Sequence, residues 1–133
     1  MLTACAASGI EGFDTAEIGI DDHELTVAVA DTPALRQRGL RNIASLPDGV
    51  DGMLFVFEEP RPATFGMRDT LIPLDIWWFD AERALLGVTQ MTPCPEEPCP
   101  HYASPGPVRW ALETPAEDYR FDTGAVLSTG DNP

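Results

Sequence analysis

Residues 52–80 read GMLFVFEEPRPATFGMRDTLIPLDIWWFD. Two strongly apolar runs, 52–57 and 74–79, flank a compact polar cluster, Arg68-Asp69-Thr70. Both runs read as strands, and the second is apolar on both faces except at Asp75. A bare carboxylate in a dry interior costs on the order of several kcal/mol, so Asp75 must be paired, hydrogen-bonded or neutralised.

Outward from this stretch the pattern stays strand-rich. Residues 15–21 and 24–30 alternate apolar with other residues (Ile18, Ile20; Leu25, Val27, Val29), and Asp21-Asp22-His23 suits a hairpin turn between them. Thr32 is a capping residue and Pro33 suits the first helical position, which predicts a short helix near 33–39 that Gly39 stops. Pro47-Asp48-Gly49 marks a loop, and further strands are expected at 65–69, 84–91, 107–113 and 124–128. The expected fold is α+β, predominantly β: a single compact domain over 15–133 whose curled sheet forms a barrel or sandwich.

The chain has 133 residues, enough for one core. All 8 of its basic residues are Arg, against 22 Asp+Glu, for a net charge of −14. Such a surface repels phosphate backbones and anionic lipid, so no nucleic-acid partner is expected. With 44% hydrophobic residues the composition is that of a folded globule, and the acidity belongs to its surface.

At the N-terminus, Leu2-Thr3-Ala4-Cys5 followed by Ala6-Ala7-Ser8-Gly9 resembles the lipobox of bacterial lipoproteins, where a signal peptide is cut before the cysteine. The expectation is a tether over 1–14, lipidation of Cys5 after export, and a native gene that encodes a charged and apolar leader before Met1. Membrane attachment is expected only through that lipid, since no run of about 18 apolar residues occurs.

In an exported protein, Cys94-Pro-Glu-Glu-Pro-Cys99-Pro-His101 reads as a disulfide closing a tight proline-rich loop. A metal site on Cys94, Cys99 and His101 is the rival; it lacks a fourth ligand and the usual zinc spacing. No metal or cofactor is expected.

The polar cluster has two readings. In an extended strand Met67 and Asp69 share one face, Arg68 and Thr70 the other, and Asp75 shares a face with Trp77 and Phe79. If the two strands are neighbours, Arg68, Arg38 or Arg41 can satisfy Asp75 bidentately; breaking such a buried pair would cost roughly 3–5 kcal/mol. That is a structural knot. The functional reading is a candidate pocket of Arg68, Asp69, Thr70, Asp75, Arg38 and Met67, in which paired Asp69 and Asp75 would bind a divalent cation, act as acid and base toward a glycoside, or accept hydrogen bonds from sugar hydroxyls. Trp77, Trp78 and Trp110 are candidates for a sugar platform, with core packing the default. His23 reads as a solvated turn residue, and no nucleophile elbow or phosphate-binding glycine loop is present.

The order ADTPALRQRGL, GMLFVF, FGMRDTLIPLDIWWFD and a strand ending VRWALE, over about residues 23–129, resembles the bacterial and archaeal domain-of-unknown-function family one hundred and ninety-two. The resemblance implies a compact β-rich domain, commonly exported or lipid-anchored, with no established activity. The chain departs from the family where Gly66-Met67-Arg68-Asp69-Thr70 stands for Trp-Met-Lys-Asn-Thr, and where Gly39-Leu40-Arg41 is followed by Asn42 and Ile43 rather than by the family's Gly-Leu-Met-Arg order.

Together these readings lead to an extracytoplasmic, lipid-anchored accessory or ligand-binding domain of the cell envelope, without catalysis, taking a small polar or carbohydrate ligand. The alternatives are a small hydrolase using Asp69 and Asp75, and a structural module that meets a protein partner through its tryptophans.

Overall fold

The computed structural model describes residues 9–130, so Cys5 lies outside the described residues. The elements run β1 (Asp14–Ile20), β2 (His23–Ala30), α1 (Pro33–Arg38), β3 (Gly52–Arg61), β4 (Thr64–Gly66), β5 (Leu74–Phe79), β6 (Leu85–Met91), β7 (His101–Ala103), β8 (Val108–Pro115) and β9 (Leu127–Ser128). Seven strands form one sheet in the order β6-β5-β8-β3-β2-β1-β9, and β4 pairs with β7 in a separate two-stranded arm. The fold is mostly β with one short helix, a curled half-barrel in a single compact domain.

Local chemistry sets the connections. Ile20 faces His23 across a tight turn in which Asp21 takes a left-handed φ of 52°, and the Asp21 carboxylate accepts the Val126 N–H at 3.1 Å. The Thr32 hydroxyl accepts the Leu35 N–H at 3.2 Å, which caps α1, and Gly39 at φ 50° ends it by donating to the Leu35 carbonyl. This helix lets β3 return parallel to β2. Gly52 is required at the start of β3, because a Cβ there would collide with the Glu113 carbonyl oxygen of the adjacent β8.

The curl brings the two sheet edges together. Leu85 N–H donates to Ala125 O at 2.9 Å and Leu127 N–H to Arg83 O at 2.8 Å, beside an Ala84–Val126 bridge. Strand alternation then gives two cores. The inner one draws on all seven strands and includes Ile20, Val27, Leu54, Trp77, Phe79, Leu112 and Leu127. The outer one spreads over Ala28, Phe55, Ile76, Trp78 and Ala111, and is covered by Leu40, Val50, Met67 and Phe65. Trp77 and Trp78 therefore bury on opposite faces, their indole N–H groups satisfied by Thr114 at 3.1 Å and Thr89 at 2.9 Å.

This topology corrects the expected Asp75 pairing. The strand after Pro62 is short, and it pairs with β7 rather than β5; β5 is flanked by β6 and β8. Asp75 is buried, but its carboxylate accepts the Glu117 N–H at 2.9 Å, which fixes the turn leaving β8. Arg68 is exposed and lies 3.4 Å from Glu97. Asp75→Ala should therefore lower stability by about 1–3 kcal/mol and Arg68→Ala by less than about 1 kcal/mol. The two losses should add in denaturant titrations, and a clear coupling between them would contradict this arrangement.

Candidate functional site

Between the outer face of the sheet and the layer made by α1, residues 39–41 and β4 lies a cavity of about 640 Å³. Its apolar surface is aromatic: Phe55 and Phe57 come from β3, and Phe65 of β4 meets Phe55 edge-on at 4.9 Å. Of the eight arginines in the chain, Arg36, Arg38, Arg41 and Arg61 line it. Among the acidic residues described, only Glu113 does. A strongly acidic molecule thus concentrates half of its positive charge at one concavity, where low-dielectric walls focus the field.

The guanidinium groups are propped on the fold. Arg36 donates to the Val56 carbonyl at 2.8 Å, lies 3.6 Å from Glu58, and stacks 5.2 Å over the Phe57 ring. Arg61 stacks on the same ring at 4.6 Å, and Arg38 lies 4.7 Å over Phe13. These contacts hold the flat cations in place while leaving N–H groups for an incoming anion.

Glu113 sits in the middle of β8, opposite Met53 of β3 and Ile76 of β5. Alternation places its side chain with Ala111 on the outer face, toward the cavity. It is 4% exposed. Burial pushes its pKa up to about 8, so at neutral pH it is a carboxylic acid with a proton to donate.

The candidates from the sequence divide between the two sides of the sheet. Arg38 and Thr70 line the cavity, and Met67 is fully buried in the outer core beside it. Arg68 and Asp69 do not line it: Arg68 is on the surface, and Asp69, at φ 61°, sits exposed in a turn whose carbonyl accepts the Asn42 N–H. Asp75 points into the inner core with Trp77, so the carboxylate pair Asp69–Asp75 does not converge. All three tryptophans are buried and offer no platform. Sequence reasoning missed Glu113, Arg36 and Arg61 as site residues. The signal for Glu113 was available, since VRWALE places a carboxylate in an apolar strand as plainly as LDIWWF does.

Cys94 and Cys99 form the expected disulfide, with Cα atoms 5.8 Å apart, which commits both sulfurs to each other. A bridge from Cys94 to Arg68 ties this loop to the segment leaving β4, which forms one wall of the cavity.

Glu113 gives the site a pH signature. The folded state holds its proton up to about pH 8, whereas an unfolded glutamate releases it near 4.3. Its contribution to stability is full below the unfolded value and is lost as pH rises through the folded one, on the order of 3 kcal/mol by pH 7. Glu113→Gln should be more stable than the parent at pH 8 and lack this part of the slope between pH 5 and 8. Parallel pH profiles for the two proteins in chemical denaturation would refute the assignment.

Comparison with known proteins agrees with the fold. A crystal structure of a Sinorhizobium meliloti protein provisionally described as a transcription regulator superposes with TM-score 0.78 at 25% identity, covering 91% of this chain and 98% of its own. A protein of unknown function from Novosphingobium aromaticivorans superposes with TM-score 0.79, also at 25% identity, over 95% and 93% of the two chains. No curated protein matches the sequence. The family profile that does match, over residues 16–126, is DUF192, described as an uncharacterised ACR, and the chain belongs to that family.

Proposed function

We propose that the protein is an extracytoplasmic, lipid-anchored domain of the cell envelope that binds a small ligand in the arginine-rimmed cavity and performs no chemistry on it. The observation that carries this reading is the meeting of four arginines and one buried carboxyl at a single concavity. The cavity falls within the usual size range of ligand sites, and its polar groups converge beside the rings of Phe55, Phe57 and Phe65. The Cys94–Cys99 disulfide suits an oxidising compartment, in line with the Leu2-Thr3-Ala4-Cys5 motif.

Nothing supports the other readings equally. Hydrolysis by Asp69 and Asp75 needs both carboxylates at one substrate, and they face different surroundings. A tryptophan-based protein interface lacks exposed tryptophans. The regulatory description attached to the Sinorhizobium meliloti relative has no electrostatic counterpart here, because a net charge of −14 opposes binding to DNA.

Location and binding are tested separately. Expressed from its native gene, the protein should fractionate with membranes, carry lipid on Cys5 and expose no free thiol to alkylation; three labelled cysteines on a soluble protein would end the envelope assignment. For binding, Gly66 lines the cavity, and a Cβ added there meets nothing within 4 Å, so Gly66→Trp should fold normally while narrowing the mouth. A thermal-shift screen of small metabolites should yield stabilising compounds whose effect Gly66→Trp abolishes. Compounds that stabilise both proteins equally would place binding elsewhere.

A further inference from the structure

The polar groups of the cavity are ordered along β3, and the order specifies what fits. Glu113 stands opposite Met53, while Ala111 stands opposite Phe55. Phe55 and Phe57 follow on the same face, and Arg36 and Arg61 both stack on Phe57. Four residues of strand separate Met53 from Phe57, which is roughly 13 Å at about 3.3 Å per residue. The trough thus runs from a buried acid, across aromatic rings, to a pair of guanidinium groups. Arg36 is committed to the Val56 carbonyl and to Glu58, whereas Arg61 makes no ion pair among the described residues.

Resting on the reading of this cavity as a binding site, we propose that its ligand is a small amphipathic oxyanion: a carboxylate or phosphate monoester head at Arg61, an apolar body over Phe55 and Phe57, and a hydroxyl or carbonyl oxygen at the far end that accepts a hydrogen bond from Glu113. Each end of the trough excludes a rival class. Four guanidinium groups repel metal cations and amines. A neutral sugar leaves the cations without partners and finds no exposed indole to stack on. A polyanion is repelled by the surrounding acidic surface, while a single charged head on an apolar body reaches the basic island.

Glu113 also sets a pH limit on binding. Its strand neighbours are Met53 of β3 and Ile76 of β5, and the charged groups that line the cavity with it are Arg36, Arg38 and Arg41 from α1 and the segment after it and Arg61 from β3, with Thr64 and Thr70 from β4 and the turn beyond. Among the described residues no second carboxylate lines the cavity. When Glu113 loses its proton near pH 8 it ceases to donate and adds negative charge beside the anion, so binding weakens there.

The test uses calorimetric titration with four probes that share one chain: 8-hydroxyoctanoate, 8-hydroxyoctyl phosphate, 1,8-octanediol and 8-amino-1-octanol. At least one of the two anions should bind about tenfold or more tighter than the diol, as expected for one charge-assisted contact, and the preferred anion assigns the head group. Arg61→Gln should erase that preference. The parent should lose affinity as pH rises through 8, while Glu113→Gln, which keeps an N–H donor, should bind with no such fall. Binding of the diol or the amine as tightly as the anions, abolished by Gly66→Trp, would overturn the ligand class and leave the cavity as a site. A pH-dependent fall that persists in Glu113→Gln would overturn the role of Glu113. If no probe binds and the metabolite screen also finds no compound sensitive to Gly66→Trp, both readings fail together.

Discussion

The structure depends on a sheet that is dry on both sides. Its curl closes an inner core that takes side chains from every strand, and α1 with the β4–β7 arm covers much of the outer face. The central strands β3, β5 and β8 therefore have no solvent face along most of their length, and they read as near-continuous apolar runs. Any polar side chain in them carries a desolvation cost that something must offset. Two carboxylates occupy such positions, Asp75 and Glu113, and the fold treats them in opposite ways. Asp75 is answered by a backbone N–H from the turn after β8. Glu113 is neutralised instead: burial holds its carboxyl in the protonated form at neutral pH.

That contrast separates structure from function more sharply than the local chemistry of either residue. A satisfied buried carboxylate fixes a turn and has no further capacity to recognise anything. A buried acid that keeps its proton beside a cavity can donate it to a ligand's oxygen. The arginines complete the argument by opposition. Spread over the surface they would have neutralised part of the −14 charge; instead four of them gather at a cavity whose acid, Glu113, is neutral and does not compensate them.

Much of the fold was legible because it rests on local rules. The alternation in 15–21 and 24–30, the Thr32-Pro33 start and Gly39 stop of α1, and the doubly apolar 52–57 and 74–79 runs each state their element within a few residues. The Cys94–Cys99 closure was likewise local. Strand order was not. Whether the segment at 64–66 meets β5 or β7 is decided by a partner some 35 residues away, with Gly66 facing His101, and no pattern in FGMRDT announces that choice. The expected Arg68–Asp75 knot failed for this reason alone. Thr70 and Arg38 belong to the cavity although Arg68 and Asp69 do not, since the turn after β4, closed by Thr70 N–H on the Met67 carbonyl, sends Arg68 and Asp69 outward and returns Thr70 inward.

The cavity is therefore built from parts of unequal firmness. Its floor is the main sheet, where Gly52 permits β3 to approach β8 at Glu113 and where Phe55 and Phe57 are locked by packing on the outer core. The opposite wall is the short β4–β7 arm of three residue pairs, anchored through Phe65 on Phe55 and Trp78 and held from outside by the disulfide loop at Arg68. A two-stranded ribbon of that length has little stability of its own and persists by those anchors. Position 66 lies at its open edge, so the residue there sets how much of the trough is accessible without disturbing the floor that reads the ligand. Recognition and access thus lie on different structural layers, and a substitution in one leaves the other intact.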